Sequence, residues 1–233
     1  RAESLLQNVV PHVKPQDLMT ILRDHYEGTP YDLTHGYATG SPHKTIERTI
    51  CDPGTIFSMV SQSRAWLPAE IGAVCWRALA TPCTGVYTPW YFGSLEVPSS
   101  YQRGTFEYSP DSAYWVFRKL SDSVDANYGT AIGPVQNVWK HFEATEFYAQ
   151  SPIENLALQL YRQDTVSAKR LLTRYTVDLA QRAFLTAGEL TREVPAGSIS
   201  GDILFPEHAD GKIYILALKA EDAGKIREME TET

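Results

Sequence analysis

Three residues suited to contacting a substrate recur at even positions of an apolar segment, IFSMVSQSR. Ser58, Gln62 and Arg64 would share one face if this segment is extended. The segment is otherwise apolar. Polar residues are therefore expected on one of its faces only where that face meets water or a functional site. The planar, always-charged guanidinium of Arg64 suits a substrate carboxylate or an oxyanion. The pattern predicts Arg64 as a site residue and Gln62 and Ser58 as substrate contacts; a salt bridge of Arg64 to Glu70 or Glu96 is the alternative.

The overall composition excludes several classes of protein. The chain has 233 residues and a net charge of −7, and it contains no basic cluster that could neutralise phosphates, so nucleic acid is not an expected partner. No apolar run reaches the roughly 18–20 residues of a membrane helix. The sequence starts at Arg1, without an initiator Met or a signal peptide. We therefore expect a processed product or part of a longer protein, and a cytoplasmic location.

The spacing of the cysteines and histidines matches no recognisable disulfide or metal-binding motif. Cys51, Cys75 and Cys83 form no tight pair, which argues against a disulfide framework and against a zinc site. The six histidines include no H-E-x-x-H, so the sequence predicts no metal and no cofactor. Cys75 is expected to be buried in an apolar strand. His25, near a predicted helix end, is expected to be solvated, since a cation is favourable there.

The order of predicted elements is helix, long loop, strands and then helices. A helix is expected over 15–28, strands in TIFSMVSQSR, IGAVCWRALA and GVYTPWYFG, and a helix capped by Ser109 or Asp111 that stops at Gly129. Two longer helices follow, PVQNVWKHFEATEFYAQ and a second from SPIENLALQLYRQD onward. A hairpin around HADG and a charged tail end the chain. This order is typical of an α+β fold with helices layered on a mainly antiparallel sheet.

Several long blocks resemble the dipeptidase A family in that family's order. They are LRDHYEGTPYDLT, RTICDPGTIFSMVSQSRAWLPAEIGAVCWRAL, CTGVYTPWYFGSLEVP, YSPDSAYWVFRKLSDSV and LLTRYTVDLAQRAFLTAGEL. The family comprises cysteine peptidases of the N-terminal-nucleophile (Ntn) hydrolase superfamily, and secernins are relatives. The blocks resemble the later part of the family's sequence. Residues 1–196 are therefore expected to form the C-terminal part of an Ntn-hydrolase domain, and 197–233 stay unassigned.

The resemblance implies an αββα sandwich that hydrolyses dipeptides through an N-terminal Cys, whose α-amino group serves as the base. This sequence departs from the pattern because it begins with Arg1 and its cysteines are internal, so we expect no nucleophile in this chain. The missing N-terminal segment of the same protein, and further copies of the chain, are expected partners. The S-x-x-R spelling of SQSR resembles related hydrolases in which the arginine lies beside the nucleophile, and this resemblance supports Arg64.

Two other functions fit the same blocks. One is an Ntn amidase or acyltransferase that acts on an acylated amine. The other is a secernin-like scaffold that binds partners without catalysis. The residue at the processed N-terminus distinguishes these possibilities, because catalysis requires Cys, Ser or Thr at that position.

Overall fold

The computed structural model describes residues 1–33, 41–44 and 48–194, together with the backbone of residues 203–204 and 215–216. The elements are α1 (Ala2–Gln7), α2 (Pro15–Leu22), β1 (Phe57–Ser63), α3 (Ala69–Gly72), β2 (Ala73–Leu79), β3 (Thr88–Tyr91), α4 (Ser99–Gln102), α5 (Ala113–Ala126), α6 (Tyr128–Tyr161), α7 (Thr165–Glu193), β4 (Ile203–Leu204) and β5 (Ile215–Leu216). The α+β class is confirmed. The predicted domain boundary at 196 and the charged tail lie outside the described residues.

One antiparallel sheet of three strands, in the order β1-β2-β3, organises the first half of the chain. Its inner face is apolar at the centre, where the buried Trp76 stacks on Phe147 of α6 with ring centroids 4.3 Å apart. Leu172 of α7 belongs to the same core. The helices α6 and α7 therefore cover one face of the sheet. A second stacked sheet, as in an αββα sandwich, stays a prediction.

The outer face of the sheet is partly apolar and exposed at β1. Phe57 and Met59 are 49% and 48% exposed. Across the register, Cys75 of β2 faces the same way and is half-buried, so the predicted burial of Cys75 in the core is wrong. Its neighbours Val74 and Trp76 point inward instead.

The helix boundaries differ from the sequence-based ones at several points. The helix α2 ends at Leu22, before the expected stop at Gly28. The first turn of α5 follows Ser112, and Gly129 lies inside α6 instead of ending α5. The long helix α6 also continues through Pro134 and Pro152, so the predicted break at Ser151 is wrong. The break falls instead at Asp164, whose carboxylate accepts hydrogen bonds from the N–H groups of Val166 and Ser167 and so caps α7.

On either side of HADG, where a hairpin is expected, the backbone of Ile203 pairs with Leu216 and that of Leu204 with Ile215 in antiparallel fashion. None of the described helices combines the length and the apolar character needed to cross a bilayer.

Candidate functional site

Two imidazoles and two thiols meet in the interior of the described chain. His25, His43, Cys51 and Cys83 each contribute one nitrogen or sulfur atom, and these four atoms all lie within 4.8 Å of one another. The two Nε2 atoms are 3.0 Å apart. Nε2 of His43 lies 3.8 Å from Sγ of Cys51 and 3.6 Å from Sγ of Cys83. We call these four residues the thiol–imidazole cluster.

The cluster is assembled from separate segments of the chain. His25 comes directly after α2, and His43 and Cys51 lie in the long loop before β1. The N–H of Cys51 donates to the carbonyl of Asp24 at 3.0 Å, which ties this loop to the end of α2. Cys83 lies in the connection between β2 and β3, which brings the fourth side chain back to the same point.

A partly buried ion pair fixes the connection that carries Cys83. The guanidinium of Arg23 donates to the carbonyls of Pro82 and Gly85 at 2.9 and 3.1 Å. The same group pairs with the carboxylate of Glu143 on α6 at 2.5 Å, and that carboxylate also accepts from the N–H of Tyr87. A Cβ on Gly85 would lie 2.8 Å from the carbonyl oxygen of Leu79, so this close turn requires glycine.

Each imidazole is oriented by a carboxylate. Nδ1 of His25 lies 3.1 Å from Glu27, and Nδ1 of His43 lies 2.9 Å from Asp125 of α5. Glu27 also accepts from the N–H of His25 at 2.6 Å, and Asp125 accepts from the hydroxyl of Ser41. Because each Nδ1 faces a carboxylate, both Nε2 atoms are directed at the thiols.

The charges within the cluster follow from these contacts. Burial opposes ionisation of Cys83, but its contacts with Cys51, His25 and His43 outweigh this effect and hold the pKa of its thiol well below the ordinary value. Burial likewise disfavours a charged His43, yet Asp125 and Cys83 raise the pKa of His43 to about 9. The pKa of Cys51 is raised, first by burial and then by its neighbour Cys83. The arrangement favours a thiolate at Cys83.

A cleft of about 640 Å³ borders the cluster between α2 and α6. His25 and Cys83 reach its wall from the cluster side, and Trp139 and Lys140 line it from α6. This volume is in the range of small-molecule sites.

The residues predicted from the sequence lie elsewhere, on the inner face of β1 and just beyond it. The hydroxyls of Ser58 and Tyr87 are 2.7 Å apart, and Gln62 accepts from Nε1 of Trp76 at 3.3 Å. Arg64 pairs with Glu154 of α6, not with the acids that the sequence suggested, Glu70 or Glu96. The polar row therefore meets partners inside the protein, while a substrate-binding role for these three residues stays a prediction.

Spacing could not have revealed the thiol–imidazole cluster. His25 and His43 are separated by a long loop, and the sheet hairpin β1–β2 stands between Cys51 and Cys83, so no short ligand motif exists. The expectation of a solvated His25 is wrong, because this residue is only 3% exposed. The turn directly after α2 takes its side chain inward.

Comparison with known proteins identifies the family to which this chain belongs. The sequence profile of Peptidase family C69 matches residues 5–141, which is more than half of the chain. A probable dipeptidase B from Streptococcus pyogenes serotype M1 is 24% identical over 192 residues, which cover 77% of this chain and 38% of that relative. The chain thus spans well under half of the length of this curated relative.

Proposed function

The chain belongs to peptidase family C69, and on that premise we propose that it is part of a cysteine dipeptidase of the Ntn-hydrolase type. The match over residues 5–141 carries this proposal. The dipeptidase name of the relative supports a dipeptide as the substrate. In such an enzyme the α-amino group takes the proton of the N-terminal thiol, and the thiolate attacks the peptide carbonyl. The C–N bond breaks as that proton passes to the leaving amine, and water then hydrolyses the thioester to release the acyl group.

The surroundings of the three thiols support a nucleophile outside residues 1–233. Cys51 and Cys83 are 0% and 1% exposed, and their sulfur atoms face each other and the imidazoles. Cys75 is half-buried on the outer face of the sheet. None of the three combines an exposed sulfur with a free amine, which is what the proposed chemistry needs.

The outer face of the sheet is the proposed docking surface for the rest of the same protein. The relative is much longer than this chain, and Phe57 and Met59 leave an apolar patch where a second sheet would pack. Stacked sheets bury each other's facing side chains, so the patch fits one inner face of a sandwich.

The cleft between α2 and α6 is the proposed position of the dipeptide. A free dipeptide carries an ammonium at one end and a carboxylate at the other. The cleft offers Lys140 for the carboxylate and the half-exposed Glu27 for the ammonium. Its volume exceeds what two residues need, so small side chains and large ones both fit.

The test compares the full-length protein with the 233-residue chain on a panel of dipeptides and N-acylated amines. We expect the full-length protein to hydrolyse dipeptides and to lose this activity when its N-terminal nucleophile is changed to Ala, whereas the 233-residue chain is inactive. Turnover of acylated amines alone would assign an amidase. Turnover of neither, or dipeptide hydrolysis by the short chain that survives Cys51→Ala, would overturn the proposal.

A further inference from the structure

We propose that the thiol–imidazole cluster is a structural zinc site, with His25, His43, Cys51 and Cys83 as its four ligands. Two thiolates and two neutral imidazoles form one of the usual tetrahedral ligand sets for Zn²⁺. The proposal concerns the fold of this chain and does not depend on the peptidase reaction.

The distances between ligand atoms agree with the edges of a zinc tetrahedron. Zn–N bonds of about 2.0–2.1 Å and Zn–S bonds of about 2.3 Å place two nitrogens roughly 3.3 Å apart and a nitrogen and a sulfur roughly 3.6 Å apart. The two Nε2 atoms are separated by 3.0 Å. The two N–S distances from His43 are 3.6 and 3.8 Å. The remaining pairs of ligand atoms all lie within 4.8 Å of one another, so shifts of about 1 Å or less complete the geometry.

The surroundings of the two histidines provide an independent argument. A histidine that binds zinc usually places its second ring nitrogen against a carboxylate, which fixes the ring and raises its basicity. Both histidines of the cluster do so, His25 with Glu27 and His43 with Asp125. This pairing leaves the Nε2 atom of each histidine, on the side of Cys51 and Cys83, available to bind the metal.

Burial assigns the site to structure and not to catalysis. His25, Cys51 and Cys83 are at most 3% exposed, and the side chain of His43 is 2% exposed. Four protein ligands complete the coordination and leave no position for water or substrate, as in structural zinc sites. On binding, the protons carried by the thiols and by the two Nε2 atoms are released to solvent, so that two thiolates and two neutral imidazoles face the ion. The two thiolates then balance the two charges of Zn²⁺, and the buried centre carries no net charge.

The ion would join four segments that have few other links. The described contacts hold Cys51 to the end of α2 and Cys83 to Arg23, but the segment 41–44 reaches the rest of the chain mainly through Asp125. Zinc bound to His43 would anchor this segment to β1, β2 and α2 together. Removal of the metal should therefore lower the stability of the folded chain.

The first experiment measures metal in the full 233-residue chain purified under reducing conditions. We expect about one zinc per chain by elemental analysis. Replacement by Co²⁺ should give the visible bands of tetrahedral cobalt and a thiolate-to-cobalt charge-transfer band in the near ultraviolet. A chain that holds no zinc and takes up neither ion, or a Cys51–Cys83 disulfide in the fully active protein, would overturn the proposal.

Matched variants locate the ligands. Cys51→Ser and Cys83→Ser should abolish stoichiometric zinc, whereas Cys75→Ser, which removes the thiol outside the cluster, should retain it. Asp125→Asn should weaken zinc affinity about 10–100-fold in competition with a chelator. Asp122→Asn, on the same helix but paired with Arg118, is its control. If the cysteine variants do not fold, the cobalt spectrum of the unmodified chain decides. Equal zinc loss in Cys75→Ser would contradict the assignment.

Discussion

Arg64 and Glu154 form a two-pronged ion pair in which both N–O distances are 2.6 Å. The guanidinium also donates to the carbonyls of Ile71 and Gly72 at 3.1 and 3.3 Å. Tyr91 adds a hydrogen bond to the same carboxylate at 2.8 Å. The pair therefore joins the end of β1, the end of α3 and the helix α6 at one largely buried point.

Arg64→Met should destabilise the chain by about 3–5 kcal/mol, because it leaves the buried carboxylate of Glu154 without its cation. The double variant Arg64→Met/Glu154→Leu should recover much of that loss, since it removes both charges together. Urea unfolding of the wild type, the two single variants and the double variant measures the coupling. If the free energy of unfolding of Arg64→Met lies within about 1 kcal/mol of the wild-type value, the pair contributes no more than an ordinary surface ion pair.

Arg64→Lys in the full-length protein tests the predicted site role of this arginine. An ammonium cannot reproduce the planar fork, so kcat should fall about 10–1000-fold if the guanidinium stabilises an oxyanion or the nucleophile. An effect confined to KM would assign Arg64 to the substrate carboxylate. Unchanged kcat and KM, together with a lowered free energy of unfolding, would assign it to the fold alone.

Lys140→Met in the full-length protein tests the proposed dipeptide cleft. Removal of the ammonium should raise KM several-fold, about 1 kcal/mol of lost binding, and leave kcat nearly unchanged. Lys119→Met is the control, because Lys119 stacks on Tyr108 away from the cleft. Equal KM values for the two variants would remove the cleft from the substrate path.

Glu146 on α6 should make stability depend on pH. Its side chain is 1% exposed and accepts no hydrogen bond from the described residues, and burial, with the nearby Glu143, raises its pKa well above 4.5. The folded state therefore keeps a proton that the unfolded state releases above pH 4.5. Stability is retained below that pH and falls as the pH rises, by up to about 1.4 kcal/mol per pH unit.

Glu146→Gln should remove this slope between pH 4.5 and 7, because the amide is neutral at every pH. The free energy of unfolding, measured in urea across that range, should rise relative to wild type as the pH increases. Glu189→Gln, at an exposed position of α7, should follow the wild-type curve. Parallel curves for wild type and Glu146→Gln would show that Glu146 is ionised in the folded chain.

The apolar patch on β1 should make the isolated 233-residue chain bind a hydrophobic dye and associate with itself. Phe57→Lys/Met59→Lys should reduce both effects without lowering stability, since both side chains are half-exposed. Tyr148→Lys, on the exposed side of α6, should change neither. A monomeric wild-type chain that binds no dye would contradict the proposed docking of a second sheet.

Local patterns predicted the elements better than they predicted the site. The strands β1 and β2 follow from alternation and β-branched or aromatic residues, and these preferences act within a few residues. Gly129 and Pro152 were misleading, because packing of α6 on the sheet outweighs the local cost of either residue. The cluster depends on contacts between distant segments, such as that of Asp24 with Cys51. The periodicity of apolar residues in the sequence reflects local structure only and does not predict such contacts.

Cys51 and Cys83 lie on either side of the β1–β2 hairpin. The distance between the two thiols therefore depends on the register in which β1 and β2 pair. The N–H of Ala80 bonds to the carbonyl of Ile56 at 2.9 Å, so correct pairing brings the two flanking segments together. A slip of two residues would keep every side chain on its proper face, and burial alone would scarcely oppose it. The same slip would shift one flank by about 7 Å along the other. Only the correct register then brings the thiols together with both imidazoles. Formation of the cluster thus favours the native register of β1 and β2, which hydrophobic packing alone does not select.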